Sequence, residues 1–148
     1  MSDSTEKNNT KSFSWTSCGK TDVGKARKLN EDSLLVRPEV GMWVVADGMG
    51  GHEAGDVASQ MVVNTLKEVP EGISLEKYID DIEDTLISVN KKLIEIANQG
   101  EKPTTIGSTV VVMLAYEKFC AFMWAGDSRL YRHRNGELVQ LTTDHSQV

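Results

Sequence analysis

Cysteine, proline and aromatic residues are all scarce: the 148 residues include two cysteines, three prolines and only 6% aromatics. Two thiols as far apart as Cys18 and Cys120 cannot build a disulfide framework or a zinc site. Both sit in apolar, strand-like contexts, which predicts buried free thiols in a reducing cytosol. Long hydrophobic runs are missing too, since the longest, Val110 to Ala115, is far too short to span a bilayer. The first residues, Met1-Ser2-Asp3-Ser4-Thr5-Glu6, hold no apolar signal segment, so the expectation is a cytoplasmic protein with no membrane partner. Positive charge is in deficit: 16 Lys and Arg against 22 Asp and Glu leave a net charge of −6. That balance excludes nucleic acid as a default partner, and any bound phosphate must be drawn in by local cations. Internal repeats and low-complexity domains are also absent. What remains, 39% hydrophobic and 26% charged residues, is the composition of an ordinary globular domain able to bury a core without staples.

Residues 1 to 12 lack apolar periodicity and read as a disordered tail, leaving 13–148 as the folded part. Phe13, Trp15 and Ser17 alternate as an edge strand would. Strands are predicted over Ser33 to Arg37 and Met42 to Ala46, joined by the turn Pro38-Glu39-Val40-Gly41. Ala54 to Val69 reads as a helix with Val57, Met61 and Leu66 on its apolar face, ended by Pro70. Leu75, Tyr78, Ile79, Ile82, Leu86, Val89, Leu93 and Ile96 recur at three- and four-residue steps, marking a second, longer amphipathic helix. The two helices can form an antiparallel hairpin on one sheet face. From Thr109 onward, β-branched and aromatic runs (Thr109 to Tyr116, Phe119 to Ala125, Arg129 to Arg134, Glu137 to Leu141) predict a β-meander whose strongest turn is Asn135-Gly136. The order of strands, helices, then strands predicts an α+β fold with an antiparallel sheet under helices.

The stretch Trp43-Val44-Val45-Ala46-Asp47-Gly48-Met49-Gly50-Gly51-His52 is an apolar run that stops on a carboxylate beside three glycines. One reading is a strand delivering Asp47 to a sheet edge, with glycines turning the chain so that Asp47, the Gly48 carbonyl and His52 face one volume. Such oxygen ligands suit a hard divalent cation. The other reading is an ordinary Asp-Gly turn with a surface histidine. A dinucleotide fingerprint fails, because Glu53 stands where the third glycine belongs and Asp47 would repel a pyrophosphate.

Three further clusters share this character. Asn30-Glu31-Asp32 sets adjacent carboxylates before a strand. Ala125-Gly126-Asp127-Ser128-Arg129 again ends an apolar strand on a carboxylate beside glycine. Arg27 offers a planar cation suited to two phosphate oxygens at once. Taken singly, each reads more simply as a solvated turn, a cap or a surface charge.

Together and in this order they resemble the metal-dependent Ser/Thr protein phosphatases, the type 2C or PPM-type family, and in particular its small bacterial members. The resemblance rests on Gly24-Lys25-Ala26-Arg27-Lys28-Leu29-Asn30-Glu31-Asp32, on Ala46-Asp47-Gly48-Met49-Gly50-Gly51-His52 with Gly55 and Ala58-Ser59, on Gly107-Ser108-Thr109, on Ala125-Gly126-Asp127-Ser128-Arg129-Leu130-Tyr131, and on Leu141-Thr142-Thr143-Asp144-His145-Ser146. It implies an antiparallel β-sandwich flanked by helix pairs in α-β-β-α order, with two Mn²⁺ or Mg²⁺ ions between the sheets and a weaker third. By this resemblance Asp47 bridges the metals and Gly48 offers a carbonyl. Glu31 and Asp32 hold metal-bound waters, and Asp127 ligates the third ion. Arg27 clamps the substrate phosphate, and His52 is the general acid. A paired centre of this kind lowers the pKa of a bound water and clamps phosphoryl oxygens for in-line attack. The implied partners are phosphoserine and phosphothreonine proteins, including a partner Ser/Thr kinase.

The sequence departs from the pattern near its end. Family members usually continue for roughly a hundred residues past the Asp-His-Ser block, consistent with a larger domain. That part carries a Ser-Asp-Gly-Leu-like block and a later Asp-Asn pair, and neither occurs here. The expectation is an N-terminal portion of a phosphatase domain, weakly active or inactive alone. Its rival is a non-catalytic module that binds phosphoproteins or a regulatory partner through the same fold.

Overall fold

The computed structural model of the protein describes residues 13–51 and 54–146. The tail expected over residues 1 to 12 lies outside the described residues, as does His52. Strands β1 (Asp32–Arg37) and β2 (Met42–Gly50) pair antiparallel across a short 3-10 turn at Pro38–Val40. Helices α1 (Ala54–Leu66) and α2 (Leu75–Ala97) follow, then β3 (Ile106–Ser108), β4 (Val110–Tyr116), β5 (Phe119–Ala125), β6 (Tyr131–Arg134) and β7 (Glu137–Gln140). The main sheet runs β1-β2-β4-β5, with β3 paired to the end of β2, while β6 and β7 form their own two-stranded sheet. The fold is α+β, as the order of strands, then helices, then strands predicts.

β2 organises this sheet. Its burial alternates, with Met42, Val44, Ala46 and Gly48 buried beneath the helices and Trp43, Val45, Asp47 and Met49 on the opposite face. The strand was expected to stop at Ala46 and turn at the glycines, but it continues to Gly50. Neither Gly48, Gly50 nor Gly51 has a positive φ. What Gly48 supplies is proximity, because a Cβ there would collide with the carbonyl of Gly55 in the first turn of α1. Two facing glycines thus let helix and strand backbones touch.

That contact selects the buried face of α1: Gly55, Ala58, Ser59, Val62, Val63 and Leu66. Val57, expected on the apolar face, is 46% exposed, since it lies about 200° round the helix from Gly55. The buried Ser59 hydroxyl is satisfied by Ser33 Oγ at 3.0 Å. α2 starts at its N-cap Ser74, which accepts from Lys77 N, and buries Tyr78, Ile82, Val89 and Leu93. Tyr78 donates to Val40 O at 2.7 Å, tying the helix to the β1–β2 turn.

Three other expectations change. The Phe13 to Ser17 segment is not a strand. It lies along the helix-free sheet face, where Trp15 packs on Trp43 at 5.1 Å and Trp43 Nε1 donates to Ser17 Oγ at 2.8 Å. The meander divides in two, because Gly126, at φ 101°, turns the chain out of the sheet before β6 can pair with β5. Both cysteines are free but exposed, Cys18 in that extended segment and Cys120 on the outermost strand β5. An apolar setting in sequence buries a side chain only if another layer covers it.

No helix of the described residues is long and apolar enough to cross a membrane. The helix-free face is strongly apolar. A cavity of about 370 Å³ there is lined by Leu34, Val45, Val111, Met113 and Leu130 among others, and Val45 is 52% exposed.

Candidate active site

The helix-free face turns from apolar to acidic at the end of β2. Asp47 lies opposite Asp32 in the β1–β2 register, so the two carboxylates stand on one face of the sheet. The pairings Gly48↔Ser108 and Val45↔Val111 keep one register across the gap between β3 and β4, which sets Asp47 opposite Thr109 on its other side. Asp32 and Asp47 therefore meet through strand pairing and not through a turn.

The Asp47 carboxyl is pushed above its ordinary range, first by partial desolvation and then by Asp32, through both charge and a hydrogen bond, and by the Asp127 charge. Arg27 opposes the rise. Three of the residues singled out in the sequence, Asp32, Asp127 and Arg27, thus act electrostatically on a fourth, Asp47. A cavity of about 250 Å³ opens beside them, lined by Asp32, Asp47, Ser128, Lys20, Thr21 and Asp22 among others.

Glu31 approaches from the neighbouring loop. Its carbonyl accepts from Gly48 N at 2.9 Å, and a Cβ on Gly55 would run into its carboxylate and into the Gly48 carbonyl carbon. The Glu31 carboxylate therefore sits over the same glycine contact that joins β2 to α1. Arg27 Nη1 donates to Glu31 Oε2 at 3.3 Å, with the arginine side chain 70% exposed. Its guanidinium is thus held at the rim of the acidic group, with its remaining donors open to solvent. Asn30 shapes this loop by donating to Thr21 Oγ1 at 2.7 Å and accepting from Asp32 N at 3.0 Å.

The Asp127 loop is held from two sides. Thr109 Oγ1 and Ser128 Oγ lie 2.6 Å apart. From the other side, His145 N donates to Gly126 O at 2.9 Å and Gly126 N donates to His145 Nδ1 at 3.3 Å. The His145 ring stacks on Trp124 at 5.9 Å. Asp144 is occupied elsewhere, gripped by Arg129 with contacts of 2.7 and 3.0 Å that hold its carboxyl below the usual range. Its oxygens are thus engaged by Arg129, away from the Asp47 group.

Among the described residues no three carboxylate, histidine or cysteine side chains close on one point as a ready cage. The donor set still fits a hard divalent cation: clustered carboxylates with a neighbouring backbone carbonyl, whose mutual repulsion a cation would relieve. Lys20, Thr21, Asp22 and Ser128 line the cavity without having been singled out as site residues. Only Ser128 had a signal in the sequence, its place beside Asp127. The rest reach the site because the chain before β1 folds back over the sheet.

A family model described as Protein phosphatase 2C matches residues 24–148. The serine/threonine phosphatase Stp of Listeria monocytogenes is 37% identical over 136 residues, covering 87% of this chain and 54% of that protein. The solved structure of PppA, a regulatory component of the type VI secretion system in Pseudomonas aeruginosa, superposes with a TM-score of 0.81 at 44% identity, covering 86% of this chain and 55% of that one. The catalytic domain of the Ser/Thr phosphatase PstP, solved with two manganese ions, gives 0.73 at 32% identity, covering 84% and 54%. The chain spans about half the length of the curated relatives it matches.

Proposed function

The chain belongs to the protein phosphatase 2C family, and from that we propose that it forms the N-terminal portion of a metal-dependent phosphatase domain hydrolysing phosphoserine and phosphothreonine in proteins. The observation that supports this reading is that Asp32 and Asp47 face each other and line one cavity with Ser128, the neighbour of Asp127, while Asp127 and Arg27 lie near enough to act on the Asp47 charge. In this reading Asp47 and the Gly48 carbonyl are metal ligands, Glu31 and Asp32 hold metal-bound waters, and Asp127 serves a further ion. Mn²⁺ or Mg²⁺ suits these donors. When bound, such a centre supplies an activated water and stabilises phosphoryl charge.

The chain's own residues do the rest. Arg27 has a planar donor fork facing solvent, and it can exchange Glu31 for the oxygens of an arriving phosphate. The clustered acids repel a phosphate until cations neutralise them, so metal must precede substrate. His52 is proposed as the acid that protonates the departing seryl or threonyl oxygen. Further ligands belong to the Ser-Asp-Gly-Leu-like and Asp-Asn blocks that this sequence does not contain. The uncovered apolar face bearing Val45 is the natural seat for the second sheet of a sandwich. The cellular substrates are phosphorylated Ser/Thr proteins, including a partner kinase, in the cytoplasm.

The test is turnover of a phosphothreonine peptide with Mn²⁺ by this chain and by a form extended at its C-terminus. The extended form should be active and the 148-residue chain nearly inert. Equal turnover by both would refute the half-site reading. A Mn²⁺-independent calorimetric trace for the extended form would favour a non-catalytic phosphoprotein-binding module.

A further inference from the structure

The Gly107-Ser108-Thr109 block carries no role in the chemistry above, yet Thr109 lies between the strand that bears Asp47 and the loop that bears Asp127. We propose that Thr109 is a positioning residue whose hydroxyl fixes these two carboxylates relative to each other; the proposal rests on their reading as metal ligands. At an ordinary hydrogen-bonded antiparallel pair, the two residues exchange both backbone bonds. Here Thr109 N donates to Asp47 O at 2.8 Å, but Asp47 N donates to Thr109 Oγ1 at 3.0 Å. The Thr109 carbonyl accepts instead from Ser108 Oγ at 2.7 Å. A side chain has replaced one rung of the ladder, which is why β3 and β4 separate at this residue although their register is continuous.

That replacement has a use. With one lone pair of Oγ1 taken by the Asp47 amide, the hydroxyl proton is free for Ser128 Oγ, 2.6 Å away. The methyl group of Thr109 seats the same loop, since a Cβ added to Gly126 would stand 2.7 Å from Thr109 Cγ2. One β-branched residue, stiff at χ1, thereby reaches the backbone of Asp47 and both neighbours of Asp127. Serine would keep the hydroxyl and lose the methyl group, whereas valine would keep the shape and lose the hydroxyl.

The experiment uses the form extended at its C-terminus and two readouts: Mn²⁺ binding by calorimetry, and hydrogen exchange of the Asp47 amide in metal-free protein. Thr109→Val should weaken Mn²⁺ binding about 10- to 100-fold, the usual effect of removing a group that orients a ligand, and should speed exchange at Asp47. Thr109→Ser should restore both towards wild type. Ser128→Ala should weaken Mn²⁺ binding while leaving Asp47 exchange unchanged. Wild-type Mn²⁺ affinity in a folded Thr109→Val protein would overturn the inference, as would failure of serine to rescue. If Thr109→Val does not fold, wild-type affinity in Ser128→Ala overturns it instead. Absence of Mn²⁺ binding by the wild-type protein would remove the metal centre itself, and that result comes before any variant is made.

Discussion

Asp47→Asn should stabilise the metal-free protein while abolishing its response to metal. The carboxylate stands opposite Asp32 across β1 and β2 and is also repelled by Asp127, with Arg27 giving partial relief. Like charges directly opposite on a sheet cost a few tenths of a kcal/mol to about 1 kcal/mol. The near-isosteric amide should therefore add about 0.5–1 kcal/mol at low salt, or about 1–4 °C in Tm for a protein of this size. The sign follows from the raised pKa. The folded state holds the Asp47 proton more tightly than the unfolded chain, so this contribution to stability is present at low pH and lost as pH rises through the raised value. At pH 7 the wild type bears the whole penalty, and below about pH 4 the two proteins should converge. Mn²⁺ at a hundred times its Kd should add about 2.7 kcal/mol to the wild type and almost nothing to the variant, so the two stability curves should cross as metal is added. Thermal denaturation with and without Mn²⁺, at pH 7 and pH 4, measures every arm. A variant less stable than wild type without metal, or one that keeps the metal-induced shift, would refute the reasoning.

Gly55→Ala places a methyl group against Glu31 and the Gly48 carbonyl. Because backbone must move, it should cost about 1–3 kcal/mol in urea denaturation, and Mn²⁺ affinity should fall with it. Tyr78 is fully buried with its hydroxyl bonded to Val40 O, and burial pushes its pKa up to about 12 from 10.0. Its contribution is complete below pH 10 and lost as pH rises towards 12, amounting to about 1–2 kcal/mol after solvent screening. In Tyr78→Phe this alkaline loss should shrink, at a cost of about 1 kcal/mol at neutral pH for the missing hydrogen bond. Chemical denaturation at pH 8 and pH 11 compares them, and an identical alkaline decline in both would exclude Tyr78 as its source.

Much of the fold was legible because it is written in local patterns. The three- and four-residue steps from Leu75 to Ile96 specify α2 almost to the residue, and Asn135-Gly136 specifies the β6–β7 turn, both residues adopting positive φ. The acidic blocks pointed to Asp32 and Asp47 as partners in one site, and the strand register does set these two carboxylates on one face of the sheet. What the sequence could not determine was which segments touch. A glycine that turns a chain and a glycine that admits another backbone are the same letter, so Gly48 was read as a bend until Gly55 came to lie against it. Cys120 looked buried because its neighbours are apolar, yet β5 is an outer strand. The meeting of Asp32, Asp47 and Thr109 depends on a register between segments up to 62 residues apart. Strand pairing is settled by the whole sheet and the helices packed on it, and only the tertiary structure decides it.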